Sequence, residues 1–332
     1  ECSMDTPNDG NTSYFIIQAF SDSNRLQIPI FVVLLLIYII ILMSNMTVLL
    51  VILVDSHLHT PMYIFLINLS FLDISFTSNI IPHLLHSLIT QRRVISFMGC
   101  MIQMYFLLSF FCTEFILLAS MAYDRYVAIC HPLLYVFRMS QKHCVYFVSA
   151  AWIIGFLDPT SYVVLISKFS FCSSNIIDHF FCDLAPLLKL SCSDTFPIEI
   201  LNYVESALVT LNSFVLTVTS YIFIISAILN IKSAEGRHKA FSTCTSHLTC
   251  VIIFYFAIIS LYIRPVSTYA PKQDQYFALL YTVLIPLLNP FIYTLKNKEF
   301  RAALGKLRRK KYGLLALTLL PDGRFQLKNF TD

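Results

Sequence analysis

The chain alternates long apolar stretches with short polar connections. Uncharged or nearly uncharged runs cover residues 28–54, 61–90, 97–123, 143–167, 200–231, 240–263 and 275–295. Each is long enough for a helix to cross a hydrocarbon layer, which takes about 20 residues. The runs are continuous rather than alternating, so they predict helices and not barrel strands: in lipid, every backbone polar group must be paired within its own segment or a closed sheet. The connections at 55–60, 232–239 and 266–274 can only join neighbouring helices. The expected fold class is an all-α membrane protein, a seven-transmembrane helix bundle over 28–295. An N-terminal segment covers 1–27, and a short amphipathic helix and tail follow the seventh span over 296–332.

Composition agrees, with 57% hydrophobic and 13% charged residues and a mean hydropathy of +0.71. Seven spans put the termini on opposite sides of the membrane. If the C-terminus is cytoplasmic, that side holds 16 of the 23 Lys and Arg residues, which makes the N-terminus extracellular. The first span is expected to direct its own insertion, because no basic segment with a short apolar core and cleavage site precedes it. A net charge of +4 gives no nucleic-acid reading. The basic run "KLRRKK" at 306–311 comes directly after the last span, where attraction to anionic lipid is the ordinary explanation.

Ionisable groups inside spans are costly and mark function by default, with a structural hydrogen-bonded role as the competitor. Asn45, Asp73 and Glu114 fall within the first three spans and Asn289 in the seventh; facing one another, they would form a polar network with two arrangements. Asp124 and Arg125 sit at the inner mouth of the third span, where a paired acid and base can lock a closed bundle and separation frees the Arg for a cytoplasmic partner. The bland reading is an interfacial pair with Arg125 snorkelling.

Cys100, Cys172, Cys182 and Cys192 share the oxidising side and permit three pairings, among which the spacing does not choose. Cys244, His247 and Cys250 recur at helical spacing, but a structural zinc needs a fourth ligand and a turn to converge them. His179 in "HFFCD" reads as loop packing rather than a metal ligand. No metal or cofactor is expected. Asn11 begins a glycosylation sequon on the outer side; Asn45, Asn68 and Asn329 match the same pattern by chance, inside spans or in the tail. The nine histidines are scattered, so no enzyme site converges, and no repeated halves suggest a transporter.

"MAYDRYVAIC" at 121–130 followed by "HPLLY", "LHTPMYIFLINLSFLD" at 58–73, "KAFSTCTSHL" at 239–248 and "PLLNPFIYTLKNKEF" at 286–300 together closely resemble the olfactory receptor branch of rhodopsin-like G-protein-coupled receptors. The resemblance implies disulfides Cys100–Cys182 and Cys172–Cys192. It implies an inner switch of Asp124, Arg125 and Tyr126, with Tyr221 and Tyr293 as partners in the active state. The implied partners are a small volatile odorant, a heterotrimeric stimulatory olfactory-type G protein whose activation raises cyclic AMP, and membrane lipid. The implied place is the plasma membrane, in cilia of olfactory sensory neurons. A non-olfactory small-molecule receptor of the same fold is the alternative.

In the third span, Leu107, Leu108, Phe111, Cys112 and Phe115 share one broad face, which by spacing alone reads as plain core; the resemblance turns it into a ligand stripe. By position it adds Asn202, Glu205, Ser206 and Val209 in the fifth span, Tyr255, Ile258, Ile259 and Tyr262 in the sixth, and Leu279 and Thr282 in the seventh. Glu205, with Asp158 at a comparable depth, suggests an amine counter-ion, against a lipid-facing or internally paired carboxylate. Tyr255 stands where many rhodopsin-like receptors have Trp, and no Pro comes after it in the span. The run "GLLALTLL" in the tail is too short to span and is expected against the membrane.

Overall fold

The computed structural model describes residues 13–18, 24–171, 174–262, 271–295 and 297–318. Five helical segments are long and apolar enough to cross a membrane, and two bent helix pairs raise the number to seven. The first three spans are α1 (Asn24–Val54), α2 (Pro61–Thr90) and α3 (Phe97–Cys130). A 3-10 turn joins α1 to α2, capped by the Asp55 carboxylate, which accepts from the His57 amide at 3.1 Å. Pro61 opens α2 at a position where its missing N–H costs nothing. Ser96 caps α3 by accepting from the Gly99 amide at 3.0 Å. Within its apolar window α3 is 72% buried against 17% for α1, so α3 is the central strut and α1 faces lipid.

After the short inner helix α4 (Pro132–Arg138), the fourth span is built from α5 (Gln141–Leu157) and α6 (Thr160–Ile166). The break falls at Asp158–Pro159, because the Pro159 ring crowds the carbonyl one turn back and contributes no N–H. The outer loop carries α7 (Leu184–Leu190), and the fifth span comprises α8 (Phe196–Glu205), a π-helical turn over Ser206–Leu211, and α9 (Asn212–Leu229). The sixth span is α10 (Ala234–Tyr262), bent by 41° between Ser242 and His247. The seventh joins α11 (Pro271–Leu279), a second π turn over Leu280–Leu284 and α12 (Ile285–Leu295).

Past the seventh span, α13 (Lys298–Thr318) is longer than the short helix expected; its first part, Lys298–Arg309, stands at 89° to Phe277–Tyr293. Its Lys, Arg, Leu and Ala residues favour helix and no Pro occurs before Pro321, so the helix runs on into "GLLALT". Lys306 lies 3.8 Å from Asp55, joining this helix to the first inner turn.

A three-stranded sheet at the outer end was not legible in the sequence. Strand β1 (Tyr14–Ile17) lies between β2 (Val94–Ser96), antiparallel with Phe15 opposite Ile95, and β3 (Ile176–Ile177), parallel. Phe15 is fully buried, with its ring 5.2 Å from Phe171 and 6.1 Å from Phe97. The segment before the first span is thereby tied to two outer loops. Beside it, the Cys100–Cys182 disulfide joins α3 to the second outer loop. Cys192 is also disulfide-bonded, and Cys172, its expected partner, lies outside the described residues, as does Asn11.

Candidate functional site

The break in the fourth span and the π turn in the fifth meet beside α3, and a small cavity of about 70 Å³ opens between them in the outer half of the bundle. Leu108, Phe111, Cys112 and Phe115 of α3 line it together with Asn202, Glu205, Ser206 and Val209 of the fifth span and Ile258 of the sixth. Three further lining residues were not in the expected set: Asp158, Tyr162 and Thr210. Asp158 carried a signal, an acid beside a proline within an apolar run. Thr210 carried none, because a π turn adds a residue to one turn and rotates the rest of the helix by about 100°.

Some expected residues stand elsewhere. Leu107 is fully buried, and Leu279 and Thr282 pack in the seventh span without reaching the cavity. Tyr255 packs on Phe115 with ring centroids 5.6 Å apart but opens onto a different groove. The side chains of Ile259 and Tyr262 lie outside the described residues.

Polar groups converge at one end of the cavity. Ser161 donates to Glu205 Oε1 at 3.1 Å, and the Tyr162 hydroxyl donates to Asn202 Oδ1 at 3.4 Å. Glu205 Oε2 is buried and completes no hydrogen bond of ordinary geometry, although the Tyr162 hydroxyl interacts with the same carboxyl. The lining contains two carboxyl groups and no Lys or Arg, so the cavity is set up for a donor or a cation rather than an anion.

Below the cavity, the four groups expected to face one another divide into three sets. Asn289 donates to Asp73 at 3.1 Å from Oδ2, while Asn45 donates to the Pro286 and Ile41 carbonyls, each at 3.1 Å. Glu114 accepts from the Tyr281 hydroxyl at 2.8 Å. Tyr281 was missed by the sequence reading and is the physical link: its ring lies 4.5 Å from that of Phe111, on the cavity wall. Phe111 and the buried Glu114 carboxyl are thus both in contact with one side chain, Tyr281.

At the inner end, Arg125 is ion-paired with Asp124, its Nε donating to Oδ2 at 2.9 Å. The Tyr135 hydroxyl of α4 donates to Asp124 Oδ1 at 2.9 Å, and burial, with Asp124 beside it, holds that phenol above its ordinary range. Tyr126 bonds His131 at 2.9 Å. Tyr221 bonds His247 Nδ1 at 2.6 Å, and the Tyr293 hydroxyl is buried without a hydrogen bond of ordinary geometry. Neither tyrosine hydrogen-bonds Arg125, and the acid and base at the inner end are paired with each other.

In the second outer loop, His179 is buried against Phe181, with ring centroids 4.5 Å apart, and burial pushes its imidazole from 6.5 down to about 4. Between those values only the unfolded loop takes up the proton, so stability present above pH 6.5 is lost as pH falls towards 4. The full excursion is worth about 3 kcal/mol. Amide protection across residues 174–190 is expected to drop between pH 7 and 5 in the wild type and to stay level in His179→Leu. Equal pH dependence in both proteins would exclude the imidazole as its source.

A family model described as "Olfactory receptor" matches residues 34–311. Human olfactory receptor 1L4 is 46% identical over 310 residues, covering 93% of this chain and 100% of that receptor. Mouse olfactory receptor 5AR1 is 44% identical over 308 residues, covering 93% and 99%. Human olfactory receptor 8I2 is 46% identical over 297 residues, covering 90% and 96%. Because the match runs through every span that builds the cavity and the Asp124–Arg125 lock, the chain belongs to the olfactory receptor family, multi-pass G-protein-coupled signalling receptors rather than enzymes.

Proposed function

We propose that this receptor binds a small volatile molecule in the cavity between the third, fourth, fifth and sixth spans and activates a stimulatory olfactory-type G protein, raising cyclic AMP. The reading places it in the plasma membrane, in cilia of olfactory sensory neurons. It is carried by one observation: an outer cavity whose wall, Phe111, packs on Tyr281, above a closed Asp124–Arg125 lock facing the cytosol. Ligand-driven movement of Phe111 and the seventh span would favour the state in which Arg125 leaves Asp124, and coupling arises from that differential binding.

The preferred ligand class is a volatile amine. The carboxyls of Glu205 and Asp158 supply a counter-ion, while Leu108, Phe111, Phe115, Val209 and Ile258 supply the apolar remainder. Cells carrying surface-verified receptor and the G protein, challenged with volatile amines, acids, aldehydes and ketones, are expected to raise cyclic AMP to amines first. Glu205→Gln should weaken the amine response about tenfold or more, the scale of one charge-assisted contact, and spare any neutral agonist. An unaltered amine response in Glu205→Gln would reject the counter-ion and favour a pocket for neutral odorants.

A further inference from the structure

The outer cavity has a polar group that the cluster around Glu205 does not use. Thr210 lines it from the fifth span and is only 9% exposed. Threonines inside these spans ordinarily turn their hydroxyl onto the carbonyl one turn back: Thr77 donates to the carbonyl of Asp73, Thr113 to that of Ser109 and Thr245 to that of Phe241, each at 2.8 Å. The Thr210 hydroxyl makes no such bond, nor any other among the described residues. It sits in the π turn over Ser206–Leu211, where the backbone ladder runs one residue longer and carries the usual acceptor out of place.

The same turn brings Thr210 to the ligand space. At about 100° per residue, positions five apart on an α-helix diverge by about 140°, and the extra residue of a π turn reduces this to about 40°. Glu205 and Thr210 therefore line one cavity, with Thr210 deeper in the bundle by at most about 7.5 Å, the rise of five residues. An amine with a plain hydrocarbon body would cover Thr210 with carbon and leave its hydroxyl unpaired, which is costly away from water. At about 10–15 Å³ for each water-sized group, a cavity of about 70 Å³ admits about five non-hydrogen atoms.

We infer that Thr210 is a specificity-determining residue and that the ligand is a short amino alcohol, with its ammonium against the Glu205 and Asp158 carboxyls and its hydroxyl against Thr210. The inference rests on the amine reading above and narrows it from amines in general to those with a second polar group at the far end. A site that hydrogen-bonds a ligand hydroxyl rejects the analogue without one, because its own polar group is then left buried and unpaired.

The test uses cells carrying the surface-verified full chain and the G protein, challenged with 3-aminopropan-1-ol and with n-butylamine. Both molecules have five non-hydrogen atoms, and they differ only in a terminal hydroxyl in place of a methyl. The amino alcohol is expected to raise cyclic AMP at an about tenfold lower concentration, the scale of one hydrogen bond. Thr210→Val, a near-isosteric change, should bring the amino alcohol to the butylamine level and leave butylamine no weaker, whereas Thr210→Ser, which keeps the hydroxyl, should preserve the preference. Glu205→Gln should weaken both amines alike. Equal potency of two amines that both depend on Glu205, a preference that survives Thr210→Val, or one lost in Thr210→Ser would overturn the role of Thr210 and leave the amine site standing. Silence to both amines, or responses indifferent to Glu205→Gln, would overturn the amine reading and this inference with it.

Discussion

Arg125→Ala is expected to abolish ligand-evoked cyclic AMP, while Asp124→Asn raises the ligand-free level. Asp124 is fully buried and the Arg125 side chain 14% exposed, so the pair is shielded from both water and salt. Removing Arg125 leaves a buried carboxylate with only the Tyr135 hydroxyl, a change that typically costs about 3–5 kcal/mol. The variant must therefore be compared at equal surface amount, and a lowered yield is part of the expectation. Asp124→Asn keeps an oxygen for Tyr135 to donate to and removes only the charge that holds Arg125. Losing about 2 kcal/mol from the closed state shifts a two-state balance about thirtyfold towards the open one, which reads out as basal signalling. A silent Asp124→Asn together with a responsive Arg125→Ala would mean that the pair is merely structural.

Gly155→Ala is expected to remove most folded receptor from the membrane. A Cβ at Gly155 would stand 2.0 Å from Thr113 Oγ1 and 2.9 Å from the Ser109 carbonyl oxygen, both on α3. Thr113 can rotate only by giving up its 2.8 Å bond to that same carbonyl, and the carbonyl, in mid-helix, cannot move at all without moving α3. The fourth span must therefore back away from the central strut, losing the close approach that small residues give helices in lipid. Overpacking of this kind costs about 1–3 kcal/mol, and the displaced residues include Asp158 and Tyr162 of the cavity wall. Surface receptor should fall about tenfold. Thr113→Ala in the same chain should recover only part of it, because the Ser109 carbonyl stays in place. Wild-type surface levels for Gly155→Ala would show that the two helices have room to part.

The site was partly legible before the fold was known. The α3 stripe of Leu108, Phe111, Cys112 and Phe115 comes from helical spacing, since an uninterrupted helix fixes which side chains share a face. Tyr255 breaks that logic: spacing sets its face on α10, but the 41° bend and the neighbouring α9 decide what that face meets. Asp124 and Arg125 stood out by charge alone, whereas Tyr135, which holds the other oxygen of Asp124, reads as an ordinary loop residue until α4 folds beneath α3. Tyr281 was hidden in the same way, its bond to Glu114 bridging residues 167 positions apart.

The sequence by itself determined the number of spans, their helical nature and their orientation, because lipid imposes length and backbone pairing on each segment separately. It also marked the costly polar groups, Asp73, Glu114, Asp124 and Glu205, because a charge in an apolar run is conspicuous wherever the run packs. Only the tertiary structure decided which of them meet. The split of the expected polar network into Asp73–Asn289, Glu114–Tyr281 and Asn45–Pro286, the outer sheet that ties Tyr14–Ile17 to two distant loops, and the division of space between cavity and groove all depend on packing between segments far apart in the chain. Such contacts are set by helix rotation, and the π turns at 206–211 and 280–284 alter that rotation without leaving a mark in the order of residues.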